Sequence, residues 1–168
     1  PKIAQGPIER AGSIIPQLYA VHSFDYQMIT TGLKRMAWGF FKKLVVSDTL
    51  ALFVNAVFAE PNHSSGLFLI LGIMLFAFQL YADFSGYTDI ALGAAQTLGF
   101  TLSPNFRQPF LARSVREFWT RWHISLSSWC SDYIFLPIVE HTYELKKYLK
   151  NHCFLNRLNA EKIMYTTA

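Results

Sequence analysis

The sequence predicts an all-α fold: a multi-pass membrane helical protein fragment with interfacial and re-entrant helices. Three observations predict it. The 168 residues are 52% hydrophobic and 16% aromatic but only 15% charged, against about 25% charged in average globular usage. That leaves too little polar material to cover a water-facing surface. Residues 61–82 carry no Asp, Glu, Lys or Arg, and about 20 apolar residues are what a hydrocarbon core of roughly 30 Å demands. Residues 114–137, finally, repeat their aromatic side chains at helical spacing, the mark of a helix with one buried stripe.

The net charge of +4 sits in short clusters beside apolar runs: Lys34, Arg35, Lys42 and Lys43, then Arg107, Arg113, Arg116 and Arg121. Basic segments facing an anionic cytoplasmic leaflet have this pattern, so membrane lipid is the expected partner and nucleic acid is not. Cys130 and Cys153 show neither CxxC nor metal-ligand spacing, so no disulfide framework and no metal site is predicted. The chain starts at Pro1 without a methionine, shows no signal peptide and ends in an apolar turn. It reads as an internal piece of a larger protein.

Taken in order, residues 1–16 form a loop-rich entry with a Gly6-Pro7 turn signal. Residues 26–43 alternate apolar and basic side chains at helical spacing and are expected to lie along the membrane interface, lysines snorkelling. Residues 44–59, interrupted by Asp48 and Asn55, are expected to form a short or tilted membrane helix. The apolar run after Pro61 is the clearest span, and it continues into a segment bearing Asp83 and Asp89. A charge at membrane depth costs at least about 2.5–3.5 kcal/mol, so two readings stand side by side: the aspartates pair with arginines or backbone N–H groups for structure, or they line a cavity. Ser85 shares a helix face with Asp89, while Ala82, Gly86 and Gly93 offer small surfaces for close helix approach. Pro104 and Pro109 break the helical pattern of residues 99–113; irregular backbone at membrane depth is tolerated where protein buries it or where it lines an aqueous cavity. Residues 139–160 are polar and expected to face solvent.

The most informative stretch is SVREFWTRWHISLSSWCSDYIFLP, residues 114–137. Ser114 and Glu117 form an S-x-x-E capping box that sets the start of a helix, and Pro137 is expected to end it. In one continuous helix Phe118, Trp122, Leu126, Trp129 and Tyr133 share an aromatic stripe, and Glu117, Arg121, Ser125, Ser128 and Asp132 share a polar face. His123 falls on the flank of the stripe, with Trp119, Ser127 and Cys130 around it. A lone histidine there is more often a hydrogen-bonded core residue than a catalyst.

Three motifs weigh on the other side. The run from Arg116 to Ser127, REFWTRWHISLS, is followed by DYIFLP from Asp132; GPIERA begins at Gly6, and YADFSGYTDIA at Tyr81. Together they resemble the membrane-bound O-acyltransferases, and within them the bacterial branch that O-acetylates polysaccharides such as alginate. The sister branch that moves D-alanine onto teichoic acid has a similar histidine motif, without Glu-Arg-Ala after its Gly-Pro-Ile. The resemblance implies a multi-pass enzyme of the bacterial inner membrane, residues 1–137 belonging to its core and residues 138–168 to a cytoplasmic insertion before the next helix. It implies a tunnel to buried histidine chemistry, with His123 as catalytic candidate and Asp83, Ser85, Asp89, Trp119, Arg121, Trp122, Ser127 and Asp132 as substrate or tunnel residues. The family's second histidine stands in a Gly-Leu-Trp-His context; His22, His63, His141 and His152 do not match it, so it is expected beyond Ala168.

The activity implied is transfer of an acyl group, here acetyl, from a cytoplasmic thioester such as acetyl-CoA, with no bound cofactor. The acceptor would be a polysaccharide hydroxyl outside the cytoplasm, reached directly or through a partner acetyltransferase. Acyl transfer to a hydroxyl needs a base or proton relay and oxyanion stabilisation, and an imidazole kept neutral by burial suits the first. Two rivals remain open. Asp83 and Asp89 beside broken backbone would also suit a transporter or channel, and a chain without the second histidine would suit a non-catalytic segment.

Overall fold

The computed structural model describes residues 6–61, 65–144 and 147. The chain divides into two compact units, Pro1–Leu126 and Ser127–Ala168. All regular elements of the described residues are helical. One of them, α4 (Gly66–Thr97), is long and apolar enough to cross a membrane.

The first unit is built on a helical hairpin. Asp25 starts α2 (Tyr26–Phe40) by accepting the N–H groups of Gln27 and Met28 at 2.8 and 3.1 Å, which meets two of the donors a helix start leaves open. A wide π-helical turn, Phe41–Ser47, passes without interruption into α3 (Asp48–Ala59). This run lies against α4 in antiparallel sense, and the glycines show why. A Cβ on Gly32 would stand 2.7 Å from the carbonyl oxygen of Gly93, one on Gly39 2.7 Å from that of Gly86, and one on Gly72 3.1 Å from Val57. Backbone meets backbone at these crossings, as small residues permit in membrane helix pairs.

The hairpin has two halves of different chemistry. Residues 44–59 and 66–82 make an apolar half; residues 26–43 and 83–97 make a polar one. In the polar half Asp89 takes Arg35 at 3.0 Å and Lys42 at 2.5 Å, while Lys43 reaches Asp83 at 2.7 Å and Asp48 at 2.9 Å. The basic residues of the 26–43 stretch were expected to snorkel from a helix lying on the interface. In the structure Arg35, Lys42 and Lys43 pair with carboxylates, Asp83 and Asp89 of α4 and Asp48 at the start of α3, which compensates charges that would otherwise stand alone.

Two residues past the end of α4 stands Gly99, whose φ of 86° suits a glycine. The N–H groups of Phe100 and Gly99 return to Ala95 and Gln96, a Schellman stop. The entry expected to be loop-rich through Pro16 contains a helix, α1 (Ala11–Tyr19). Gln17 of α1 clamps Thr101 from both sides, its Nε2 donating to the Thr101 carbonyl at 3.0 Å and its Oε1 accepting the Thr101 N–H at 2.8 Å. Glu9 likewise accepts from the N–H and hydroxyl of Ser103. The chain start is thereby fastened to the irregular stretch that follows α4.

That stretch holds a 3-10 turn (Pro109–Leu111) and leads to α5 (Val115–Arg121). Ser114 caps α5 as predicted, its hydroxyl accepting the Glu117 N–H at 3.1 Å. The reciprocal half of the box is displaced by one residue: Glu117 accepts the N–H of Arg113, not of Ser114, at 2.7 Å, and pairs with Arg121 at 2.6 Å. These bonds, the Arg113 N–H first, hold the Glu117 carboxyl below the usual carboxylate pKa. The continuous helix expected over residues 114–137 is broken. Trp122 is extended, with φ −102° and ψ 128°, and α6 (Ile124–Cys130) begins afresh.

The second unit takes over within α6. It continues as a π-helical turn, Ser131–Phe135, where Trp129 and Tyr133 pair with ring centroids 5.5 Å apart. Pro137, expected to end the helix, lies inside helical residues 136–144. A proline has no N–H for the rung four residues back, and the wide π turn before it has already loosened that rung. Most of the segment expected to be a cytoplasmic insertion lies outside the described residues.

Candidate functional site

His123 stands at the break between α5 and α6, in left-handed backbone with φ 46°. Left-handed backbone costs a non-glycine residue roughly 1–2 kcal/mol, and here the flanks impose it. On one side Trp122 closes α5 through its N–H on Phe118. On the other, Asn105 starts α6 from across the loop. The Asn105 carbonyl accepts the Ile124 N–H at 2.9 Å, and its Oδ1 accepts the Ser125 N–H at 3.2 Å and the Ser125 hydroxyl at 2.8 Å. The Ser125 oxygen in turn accepts the N–H of Ile8 at 3.0 Å. Asn105 is only 1% exposed, so these bonds form away from competing water.

The ring of His123 meets that of Phe84 edge-on, centroids 4.6 Å apart. Phe84 belongs to an aromatic cluster in which Tyr81 of α4, Phe106 and Phe110 of the loop, and Phe118 and Trp122 of α5 interlock. Beside it opens a cavity of about 490 Å³, lined by Lys43, by Leu80, Asp83, Phe84, Tyr87 and Ile90 of α4, and by His123. The α4 residues recur at the spacing of one helix face. Ligand-sized pockets fall in about this range of volume, apolar walls with a few polar groups. Burial lowers the His123 pKa below its ordinary value, because a charged ring is poorly solvated there; the ring is neutral near pH 7.

The sequence-derived candidates separate into groups. His123 and Asp83 meet at the cavity, Asp83 also holding Lys43. Ser85 and Asp89 are engaged by Lys42, and Asp89 by Arg35 as well. Asp89 is an ion-pair partner, and Asp83 is both an ion-pair partner and part of the cavity wall. Trp122 lies in the aromatic cluster, while Trp119 packs on Phe118 and is 56% exposed. Arg121 pairs with Glu117. Ser127 and Asp132 belong to the second unit and are exposed. Sequence reasoning did not find Lys43, Tyr87, Asn105 or Gly6 as neighbours of this site. Gly6 and Asn105 reach it from 117 and 18 positions away along the chain, a distance no local pattern reports.

The geometry joins the three sequence motifs. Gly6 opens one, Asp83 and Phe84 lie in the second, His123 in the third, and all meet around one imidazole. A family model described as MBOAT, membrane-bound O-acyltransferase family, matches residues 15–152. The chain belongs to that family. Among curated proteins it is similar to a probable alginate O-acetylase of Pseudomonas putida, 39% identical over 82% of this chain and 28% of the relative. It is also similar to a peptidoglycan O-acetyltransferase of Helicobacter pylori, 34% identical over 82% of this chain and 27% of the relative. A teichoic acid D-alanyltransferase of Bacillus subtilis is 29% identical over 94% of this chain and 40% of its own length. The chain thus spans about a quarter of the first two membrane-bound O-acyltransferases named.

Proposed function

We propose that the protein containing this chain is an O-acyltransferase of the bacterial inner membrane, crossing it several times. It takes an acetyl group from a cytoplasmic thioester, acetyl-CoA, and passes it to a hydroxyl of an extracytoplasmic polysaccharide, directly or through a partner acetyltransferase. The alcohol oxygen bonds to the acyl carbon, the carbon–sulfur bond breaks, and the hydroxyl proton ends on the departing thiol. His123 acts at the thioester or in the proton relay, with the second histidine of the family's motif supplied elsewhere in the protein.

The observation that carries this reading is the convergence of the three motifs on a neutral imidazole beside a cavity. The two acetyl-transferring relatives support acetyl as the acyl group, as does the Glu9-Arg10-Ala11 continuation after Gly6-Pro7-Ile8. Transfer of D-alanine is the second reading, favoured by the broader coverage of the teichoic acid relative. A transporter is disfavoured because Asp83 and Asp89 both have cationic partners, which leaves neither as an uncompensated charge to bind a travelling ion.

The test is the full-length protein with His123→Ala, which removes both a proton relay and a hydrogen-bond donor. The expected outcome is normal membrane abundance with acetyl content of the exported polysaccharide reduced to background. Unchanged acetylation at normal abundance would remove His123 from the chemistry. Loss of ester-linked D-alanine instead of acetate would select the second reading.

A further inference from the structure

We propose that Asn105 is a positioning residue that fixes which nitrogen of His123 carries the proton; its consequence for catalysis rests on the acyl-transfer reading above. The hydrogen-bond network leaves one way to orient the Asn105 amide. The Ser125 hydroxyl donates to the Asn105 side chain at 2.8 Å. The second group that meets the same Asn105 atom is the Ser125 N–H, which can only donate. That atom must therefore be the carbonyl oxygen, and the NH₂ group points the other way.

There it has no partner. Asn105 Nδ2 and His123 Nε2 are both buried polar atoms without a hydrogen bond, and both border the small space beside Gly6. A Cβ placed on Gly6 would stand 3.0 Å from Asn105 Nδ2 and 3.4 Å from His123 Nε2. One is a donor and the other, in a neutral ring, is free to accept. Leaving both unmet would cost about 1–3 kcal/mol apiece. A direct bond between them, reached by a small shift of either side chain, satisfies both only if Nε2 is bare.

A neutral imidazole with a bare Nε2 holds its hydrogen on Nδ1. His123 then offers the cavity a hydrogen-bond donor, not a base. Its role at the thioester becomes polarisation of the acyl carbonyl oxygen, while proton removal from the alcohol belongs to another group. Nε2 itself has almost no accessible surface, so it is not the atom a substrate in the cavity would meet.

The experiment is nitrogen NMR of the full-length protein carrying ¹⁵N-labelled histidine, near neutral pH, with the His123 signals identified by their loss in His123→Gln. The wild-type ring should show a protonated Nδ1 and a bare Nε2. Asn105→Asp keeps the oxygen that holds Ser125 and replaces the donor by a carboxylate acceptor, whose negative charge also favours a protonated ring. It should protonate Nε2 and lower acyl transfer by about 10²–10³-fold, as losing one aligned donor does elsewhere, with thermal stability changed far less. A wild-type ring protonated on Nε2 overturns the proposal, and does so even if the aspartate variant fails to fold. So does an aspartate variant whose Nε2 stays bare. A bare wild-type Nε2 together with full transfer in His123→Ala, which has no donor to offer, would uphold the role of Asn105 and remove His123 from the chemistry; absence of transfer by the wild-type protein would defeat the acyl-transfer reading.

Discussion

His123 combines a backbone conformation that disfavours its residue type with a ring whose burial disfavours its charged form. The second property sets a pH dependence whose sign follows from linkage. The unfolded chain holds this histidine near its ordinary pKa of about 6.5, while the folded value lies lower. Above the unfolded pKa both states are neutral, and the folded protein keeps its full stability. As pH falls below it, the unfolded state takes the proton first, and stability is lost until pH reaches the folded value. The detergent-solubilised protein should therefore melt lower at about pH 5.5 than at about pH 7.5, and His123→Gln should shrink that difference. Equal differences in the two proteins would show that the ring is not shielded. At this scale the histidine motif was legible in the sequence, because it is local. Asn105 and Gly6 were not, because they approach the ring from 18 and 117 positions away along the chain.

At the scale of elements, the hairpin of α2, α3 and α4 rests on crossings too close for side chains. A Cβ on Gly86 would lie 2.9 Å from the Gly39 carbonyl and 3.1 Å from the Lys43 N–H nitrogen, whereas one on Gly66 would meet nothing. Gly86→Ala should cost roughly 1–3 kcal/mol by overpacking and disturb the neighbouring Lys43–Asp83 and Lys42–Asp89 pairs. Gly66→Ala should be neutral or slightly stabilising. Thermal melting in detergent compares them, and equal melting temperatures would contradict the close crossing. The apolar period of α4 and the Ser114 cap were both legible, since each is written in adjacent residues. The break at His123 was not. Periodicity continues through residues 118–133 without a fault, and what interrupts it is the capture of the Ile124 N–H by a distant carbonyl.

For the molecule, the two halves of the hairpin set a membrane placement. The apolar half of α4, residues 66–82, is about 25 Å long at 1.5 Å per residue, close to the roughly 30 Å of a hydrocarbon core. By the positive-inside tendency its charged end, with Arg35, Lys42 and Lys43, is expected on the cytoplasmic side and Glu60 on the opposite one. In a full-length protein without other cysteines, Glu60→Cys should react with an impermeant thiol reagent in intact cells, and Lys34→Cys only after permeabilisation. The reverse pattern would invert the placement. Composition made the membrane class legible, but the pairing of one long helix with a segmented, basic partner was not, because the neutralising carboxylates lie on the other strand of the hairpin. The histidine loop carries a last consequence. Asn105 grips Ile124 and Arg107 grips Arg121, so the segment between is a lobe whose stem is stapled shut beside His123. A change of length at its exposed tip, near Arg113, meets only a slowly growing closure entropy, about 0.6 kcal/mol per doubling. The stem is thus a fixed mount for the imidazole, and a change of length is best borne at the tip, away from the rings of Phe106, Phe110, Phe118 and Trp122 that pack toward α4.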